Sequence, residues 1–456
     1  MYYYIILRKA FIFFVKEAQR PVKKILLMFA AALFAVAFSG CSAFETDTEA
    51  LMQPPSLTEE QAKLNDALTN VIGENFYLKY PLNGGSNSAF MFCDLDGDGS
   101  EEALAFYSSG DDSSGTRINI LRQSGGDWVS VYEAAGSSGD ISDVHFLDIG
   151  KEKLLVVKWD KEVGIYDFVE NRLEQLYMSP SDGIELADMN GDGIMDVVVF
   201  SGSYDGRCTA RILYSSDGGM NISEGVYINA EYANIYSTAS GGLGDGRIGF
   251  FVDSKIYDNI YLTEVLVLEG ERTLRYTIAS FIVEEEDETS SGTGFIISKR
   301  GMYARNTAAV CMDIDNDGII EMPVEIREDT ATTENEKLYF IKYVKYDGKD
   351  ALPVWYGFAC GEEGYVFRLE EEWSEGIEIK YNAALGEYSF IDIENGEEVL
   401  SIRSARVGDY QDIYEENEVL AGKNGTKAVY ITVRAKEGDK YYIAPQSCRE
   451  RLLFIK

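Results

Sequence analysis

One histidine, His145, is all the imidazole available to a chain of 456 residues. That scarcity removes His-based zinc sites and leaves little room for a Ser-His or Cys-His catalytic pair. Positive charge is scarce too: 41 Lys and Arg stand against 77 Asp and Glu, a formal net charge of −36. Such a surface repels a phosphate backbone, which excludes nucleic acid as a partner. Only six cysteines are present. The five after Cys41, namely Cys93, Cys208, Cys311, Cys360 and Cys448, are odd in number and too sparse for a disulfide framework. Cys93 and Cys311 fall in apolar strand patterns, where a buried thiol is expected. What is abundant points to β structure. The chain has 43 Gly, 30 Tyr and 46% hydrophobic residues, which is enough to bury a core and suits many short strands joined by turns. Its length predicts two or three domains, or one repeat architecture with an appendage.

The apolar run Ile25–Phe38 is shorter than the ~20 residues of a transmembrane helix. Lys23 and Lys24 precede it and Ser39-Gly40-Cys41 follows, the layout of a secretory signal over residues 1–40. Cysteine directly after Ser-Gly resembles the lipobox of bacterial lipoproteins, with Phe38 where that motif usually carries Leu. The resemblance implies acylation of Cys41, an anchor in the membrane, and a place on its outer face in the cell envelope. Residues 1–21 form a second apolar patch ahead of a complete signal and are read as an over-extended start. Residues 1–40 contain six of the basic residues and one acid, Glu17, so the remainder is more acidic still. Its membrane contact is then the lipid and not the protein surface. Residues 41–60, polar and acidic with Pro54-Pro55, are read as a tether.

Three segments share one pattern: AFMFCDLDGDGSEEALAFY (89–107), IELADMNGDGIMDVVVF (184–200) and AAVCMDIDNDGIIEMPVEI (308–326). Each places a loop D-x-[DN]-x-D-G-x-x-[DE] between two apolar strands. Positions 1, 3, 5 and 9 are Asp94, Asp96, Asp98 and Glu102; Asp188, Asn190, Asp192 and Asp196; and Asp313, Asp315, Asp317 and Glu321. Ca²⁺ takes six to eight oxygens in a flexible geometry, and alternate residues of a tight loop can aim carboxylates at one point. Glycine at position 6 permits the turn, and the position-7 carbonyl of Ser100, Ile194 or Ile319 is the expected backbone ligand. An EF-hand would close with Glu at position 12, but Ala105, Val199 and Val324 stand there, inside strands. About three Ca²⁺ ions are expected, pinning hairpins rather than serving as a switch.

Strand–DxDxDG–strand repeats resemble the FG-GAP or VCBS type found in integrin α-subunit propellers and many bacterial surface proteins. That resemblance implies an all-β fold, a β-propeller whose Asp-rich loops join two strands of a blade and hold Ca²⁺. Two decayed copies fill the gaps. VHFLDIGKEKLLVVKW (144–159) keeps Asp148 but has Lys151 and Lys153 in place of acids, and GGLGDGRIGFFVDS (241–254) keeps Asp245-Gly246 with Arg247 and Gly249 following. Both are expected to be metal-free. Five blades are thus visible and five to seven are expected over residues 61–370, with a helix then a strand at 61–82. The stretch after Leu352 is expected to complete a last blade and close the ring, and EEEDETSSGTG (284–294) reads as a solvated loop. Residues 371–456, lacking such loops, are expected to form a small C-terminal β-rich or α+β domain.

His145 reads as a partly exposed strand residue, and no catalytic residue stands out. The Tyr excess is read as ordinary strand composition. The expected function is a calcium-stabilised binding module for a protein or glycan partner. The alternatives are an extracellular carbohydrate-active enzyme, a glycosidase or lyase using carboxylates on the propeller face, and a structural spacer or assembly factor in the envelope.

Overall fold

The computed structural model describes residues 58–455, except 84–87, 111–114, 138, 150–151, 203–207, 217–218, 258–259, 278–295, 298–302, 333–336, 348–349, 362 and 408–416. The leader, Cys41, nearly all of the tether and the acidic 284–294 segment therefore lie outside the described residues. The chain divides into two compact units, residues 1–65 and 66–456. A helix, Glu59–Ile72, is the first described element. Thr58 and Gln61 open it with a reciprocal cap: each backbone N–H donates to the other's side-chain oxygen, at 3.1 and 3.2 Å. Glu59 and Glu60 add charge of the sign that a helix N-terminus favours.

Among the described residues all the strands lie in the second unit, in six antiparallel sheets that follow one another along the chain. The first five begin at or near the five repeat copies. Sheet one pairs Phe90–Cys93 and Phe76–Lys79 with the same strand, Glu102–Ser109, and continues through Arg117–Ser124 to Asp127–Ala135. Sheet two is a plain meander, Ile141–Ile149, Glu152–Trp159, Glu162–Val169 and Arg172–Pro180. Sheet three runs from Gly183–Ala187 through Asp196–Gly202 and Cys208–Ser216, and sheet four from Ile235–Gly242 through Ile248–Tyr257 and Ile260–Glu269. In the fifth, Met322–Thr332, Lys337–Tyr346, Ala351–Cys360 and Tyr365–Leu369 follow in order, so the stretch after Leu352 supplies the third and fourth strands.

The middle strands are apolar on both sides because both faces are covered. In sheet two, Leu155 and Val157 pack with Leu104, Phe106, Ile118 and Ile120 of sheet one. Their neighbours Leu154 and Val156 point the other way, into Ile184, Val197 and Val199 of sheet three. The same alternation continues. Val198 and Phe200 meet Phe250 and Val252 of sheet four, and Phe251 and Val265 meet Met322 and Val324 of sheet five. Serial antiparallel sheets packed face to face are the arrangement of propeller blades.

Residues past 370 make a sixth sheet, in which Glu398–Arg406 pairs with Lys427–Val433 and Glu418–Asn424 lies outside. Its inner face, including Ile377, Phe390 and Leu400, packs on Phe340, Phe358 and Phe367 of sheet five. The chain then returns. Leu452–Phe454 adds a strand to the outer edge of sheet five, beside Tyr365–Leu369. The five cysteines Cys93, Cys208, Cys311, Cys360 and Cys448 are all free and buried.

Candidate metal centres in three hairpin loops

The first loop joins Phe90–Cys93 to Glu102–Ser109, the second joins Gly183–Ala187 to Asp196–Gly202, and the third closes on a bridge between Met312 and Glu321 just ahead of Met322–Thr332. The backbone of all three is alike. Position 6 is left-handed, with φ of 90° at Gly99, 83° at Gly193 and 85° at Gly318, where only glycine is unstrained. Position 4 is left-handed too, at Gly97, Gly191 and Asn316. The pattern of Gly, Gly and Asn, the residues that tolerate this region, was the sequence signal for it.

Backbone N–H groups hold each loop through its carboxylates, and in the second loop both oxygens of Asp188, Asp192 and Asp196 accept hydrogen bonds. The position-6 N–H donates to the position-1 carboxylate: Gly99 to Asp94 at 3.0 Å, Gly193 to Asp188 at 2.9 Å, Gly318 to Asp313 at 2.9 Å. The position-7 N–H of Ser100, Ile194 or Ile319 donates to Asp98, Asp192 or Asp317, at 2.8, 2.8 and 2.9 Å. The position-9 acids start the second strand and are buried, Glu102 and Glu321 at 0% exposure and Asp196 at 1%. Each accepts the position-2 N–H: Leu95 to Glu102 at 3.0 Å, Met189 to Asp196 at 2.8 Å, Ile314 to Glu321 at 2.8 Å.

Other oxygens are left over. Asp94 Oδ1 and Glu321 Oε1 are buried and have no hydrogen-bond partner. Ligand oxygens of Asp94, Asp96 and Glu102 lie within 4.8 Å of one another, as do those of Asp313, Asp315 and Glu321. Oxygens on opposite sides of a Ca²⁺ ion would be about 4.6–5.2 Å apart, so these sets have the right span for a hard cation. The second loop places Asp188, Asp192 and Asp196 on the same backbone with Asn190 at position 3. Crowding and burial show in the acidities. Burial, with Asp315, Asp317 and Asp313 adding repulsion, pushes the Glu321 carboxyl up to about 7. Burial, with Asp192 and Asp188, pushes Asp196 up to about 6, and burial also raises Glu102.

Each loop also meets the strand paired with the one that follows it, a neighbour that motif spacing does not display. Arg122 donates to Glu102 Oε1 at 2.8 Å and pairs closely with Asp96. Lys345 pairs with Asp317. In the second loop the corresponding partner is neutral: Ser215 Oγ donates to Asp192 at 2.7 Å and its N–H to Asp196 at 3.3 Å. Arg122 and Lys345 extend the cross-strand register to stand opposite Glu102 and Glu321.

The decayed copies differ. Asp148 is paired with Lys153, and Asp245 is clasped by Arg247 at 2.9 and 2.6 Å, which holds the Asp245 carboxyl below the usual carboxylate range. Lys151 lies outside the described residues. His145 is on the strand Ile141–Ile149 with Nε2 3.2 Å from Asp143.

No family model matches the chain, and no curated protein matches it. Solved structures give distant likenesses. Saccharomyces cerevisiae Sqt1 has a TM-score of 0.29 at 7% identity, covering 77% of this chain and 94% of that one. The Dos1 propeller gives 0.28 at 13% identity, covering 79% and 83%. An exo-beta-1,3-galactanase from Clostridium thermocellum gives 0.23 at 10% identity, covering 77% and 80%. At such scores they bear on neither partner nor activity.

Proposed function

We propose that the chain is a lipoprotein of the bacterial cell envelope, anchored through Cys41, whose body is a calcium-stabilised β-propeller of FG-GAP or VCBS type. It serves as a binding module for a protein or glycan. The first five sheets are its blades and the sixth is the appended β-rich domain. The observation that carries the calcium assignment is the loop backbone shared by all three sites, together with the converging oxygens of the first and third, where a buried oxygen of Asp94 and of Glu321 remains for an ion. Asp94, Asp96, Asp98 and Glu102 would hold one ion, Asp188, Asn190, Asp192 and Asp196 a second, and Asp313, Asp315, Asp317 and Glu321 a third. The carbonyls of Ser100, Ile194 and Ile319 would add to each set. Bound calcium supplies neutralising charge and a cross-link across the hairpin. Residues of the chain do the rest: position 1 shapes the turn, and position 9 fastens it to the second strand.

Thermal unfolding of the full chain with calcium and with chelator tests this. Calcium should raise the melting temperature by several degrees, since each site contributes about 2.7 kcal/mol at a hundredfold excess over Kd. Mg²⁺, which demands a smaller octahedral cage, should rescue poorly. Identical melting in both conditions would contradict the assignment. For the anchor, Cys41→Ser should release the chain from the membrane fraction or leave the precursor unprocessed. A processed, membrane-bound Cys41→Ser chain would refute it.

One observation favours the carbohydrate-active alternative. A cavity of about 440 Å³, lined by Ile326, Lys342, Tyr356, Glu371, Ser374 and Glu375, places two carboxylates outside the loops. Screening for glycan and protein binding beside a polysaccharide-degradation assay separates the two. Turnover abolished by Glu371→Gln or Glu375→Gln would establish the enzyme.

A further inference from the structure

Where sheet five meets the start of the sixth sheet, the apolar core gives way to a polar cavity. Phe340 and Phe358 stand opposite each other on sheet five and are buried against the sixth sheet. Two residues along, on the same face, Lys342 stands opposite Tyr356. With Ile326 they line the cavity of about 440 Å³ from the sheet side, and Glu371, Ser374 and Glu375 line it from the turn that leads into the sixth sheet. That turn is held from behind. Trp373 is buried with its ring 6.2 Å from that of Phe390 and 5.4 Å from that of Tyr441. Ser374 Oγ donates to Glu371 O at 2.7 Å, and Glu370 pairs with Arg451 at 2.7 Å. The cavity is thus formed before any ligand arrives.

Its charges are not used by the fold. Among the described residues, neither Lys342 nor Glu375 makes an ion pair or a side-chain hydrogen bond, although the chain has 77 acids for 41 bases and a lysine has many partners to choose from. Glu371 takes a hydrogen bond from the Tyr356 hydroxyl. The ammonium donors of Lys342 and two carboxylates therefore open on one cavity without cancelling, with Ile326 and the Tyr356 ring as apolar surface beside them.

We propose that this cavity is a binding site for a neutral saccharide. The proposal rests on the binding-module reading above and selects its glycan arm. Sugar hydroxyls donate to Glu371 and Glu375 and accept from Lys342, while the C–H faces of the ring cover Ile326 and Tyr356. An anion is disfavoured, because the lining has two acids to one base and the chain carries a net charge of −36. A cation would satisfy the carboxylates but leave Lys342 repelling it. A zwitterion would satisfy both ends through charge, yet it offers nothing to the apolar wall. The volume falls within the ~300–1,000 Å³ of small-ligand sites.

Saturation-transfer NMR and calorimetry on the full chain test this, with cellobiose, maltose, lactose and diacetylchitobiose as neutral probes and glucuronic acid and glycine as charged ones. At least one neutral disaccharide should bind, with the same affinity at low and high salt, since no net charge is brought together. Lys342→Met and Glu375→Gln should each weaken it about tenfold, the loss expected for a hydrogen bond to a charged group. Glu372→Gln, exposed on the same turn but outside the cavity, should not. Glu375 is exposed, so its variant carries the test even where Lys342→Met unsettles the sheet. Binding that falls with salt, or that is confined to glucuronic acid or glycine, would overturn the ligand class. Saccharide binding untouched by both variants would overturn the site and leave the glycan reading standing. No binding of any probe would overturn the proposal and leave the binding-module reading to a protein partner.

Discussion

Hairpin loops at corresponding places in successive sheets are built in two ways in this molecule. The loops at 94–102, 188–196 and 313–321 gather carboxylates, and the first and third leave a buried oxygen, of Asp94 and of Glu321, without a partner; in those at 148–156 and 241–249 Asp148 and Asp245 are held by a lysine and an arginine. The 241–249 loop still has the left-handed turn, with φ of 82° at Gly244 and 90° at Gly246, so the backbone does not depend on the acids. The acids therefore add something besides the turn they help to hold. Clustered charge is costly unless neutralised, and under the calcium proposal solution supplies most of that charge to the three acid loops, whereas the chain supplies it to the other two. Sheet four, which carries a decayed loop, also contains a fully buried ion pair, Asp253 to Arg305 at 2.7 Å, with Thr263 and Tyr236 completing the donors and acceptors around it.

That contrast can be broken by mutation. The largest effect should come from Asp253→Ala, which strands a buried guanidinium and should cost about 3–5 kcal/mol, equally with calcium or chelator. A loss confined to the calcium form would mean that sheet four leans on an ion after all. Next is Asp192→Ala, which should remove one site's share of calcium stabilisation, about 2.7 kcal/mol at a hundredfold excess over Kd. Asp245→Ala should leave the calcium increment unchanged, as read by melting with and without chelator. Smaller again are Gly193→Ala and Gly246→Ala. Both glycines have positive φ and open space where a Cβ would stand, so strain alone should cost about 1–2 kcal/mol in each. Unequal losses in the chelated chains would show that the two backbones are not equivalent.

The gentlest test is a slope with pH. Folding raises the carboxyls of Glu321 and Asp196, to about 7 and about 6, so the folded state binds more protons than the unfolded state above the ordinary carboxylate range. Stability of the chelated chain should therefore fall as pH rises from about 4 through 7. Calcium, which binds the deprotonated form, should flatten that fall and release protons on binding near pH 6. Chelated protein whose stability rises over this window would contradict the burial assigned to these two acids.

The repeat was legible because strand, loop and strand lie within a short stretch of chain. Four of the five copies mark the first hairpin of a sheet and the one at 313–321 closes on a bridge just ahead of its sheet, and Gly99, Gly193 and Gly318 occupy the turn their spacing demands. Helix and strand at 61–82 follow from local pattern too, with Thr58 and Gln61 capping the helix. What escaped was set by long-range pairing. Arg122 lies 20 residues from Glu102 and meets it only through cross-strand register. Nothing local indicates that Leu452–Phe454 returns to sheet five, or that Lys427–Val433 slips between Glu398–Arg406 and Glu418–Asn424. Asp253 and Arg305, 52 residues apart, read as ordinary surface charges until packing buries them.

The claim at the centre is that solution calcium neutralises three loops and the chain's own cations neutralise two. Counting ions bound by the metal-stripped full chain tests it most directly. The expected stoichiometry is about three, falling to about two in Asp192→Ala and staying at about three in Asp245→Ala. No bound calcium would reduce the loops to plain Asp-Gly turns, and a stoichiometry near five, with Asp245 as sensitive as Asp192, would contradict the division between the two groups.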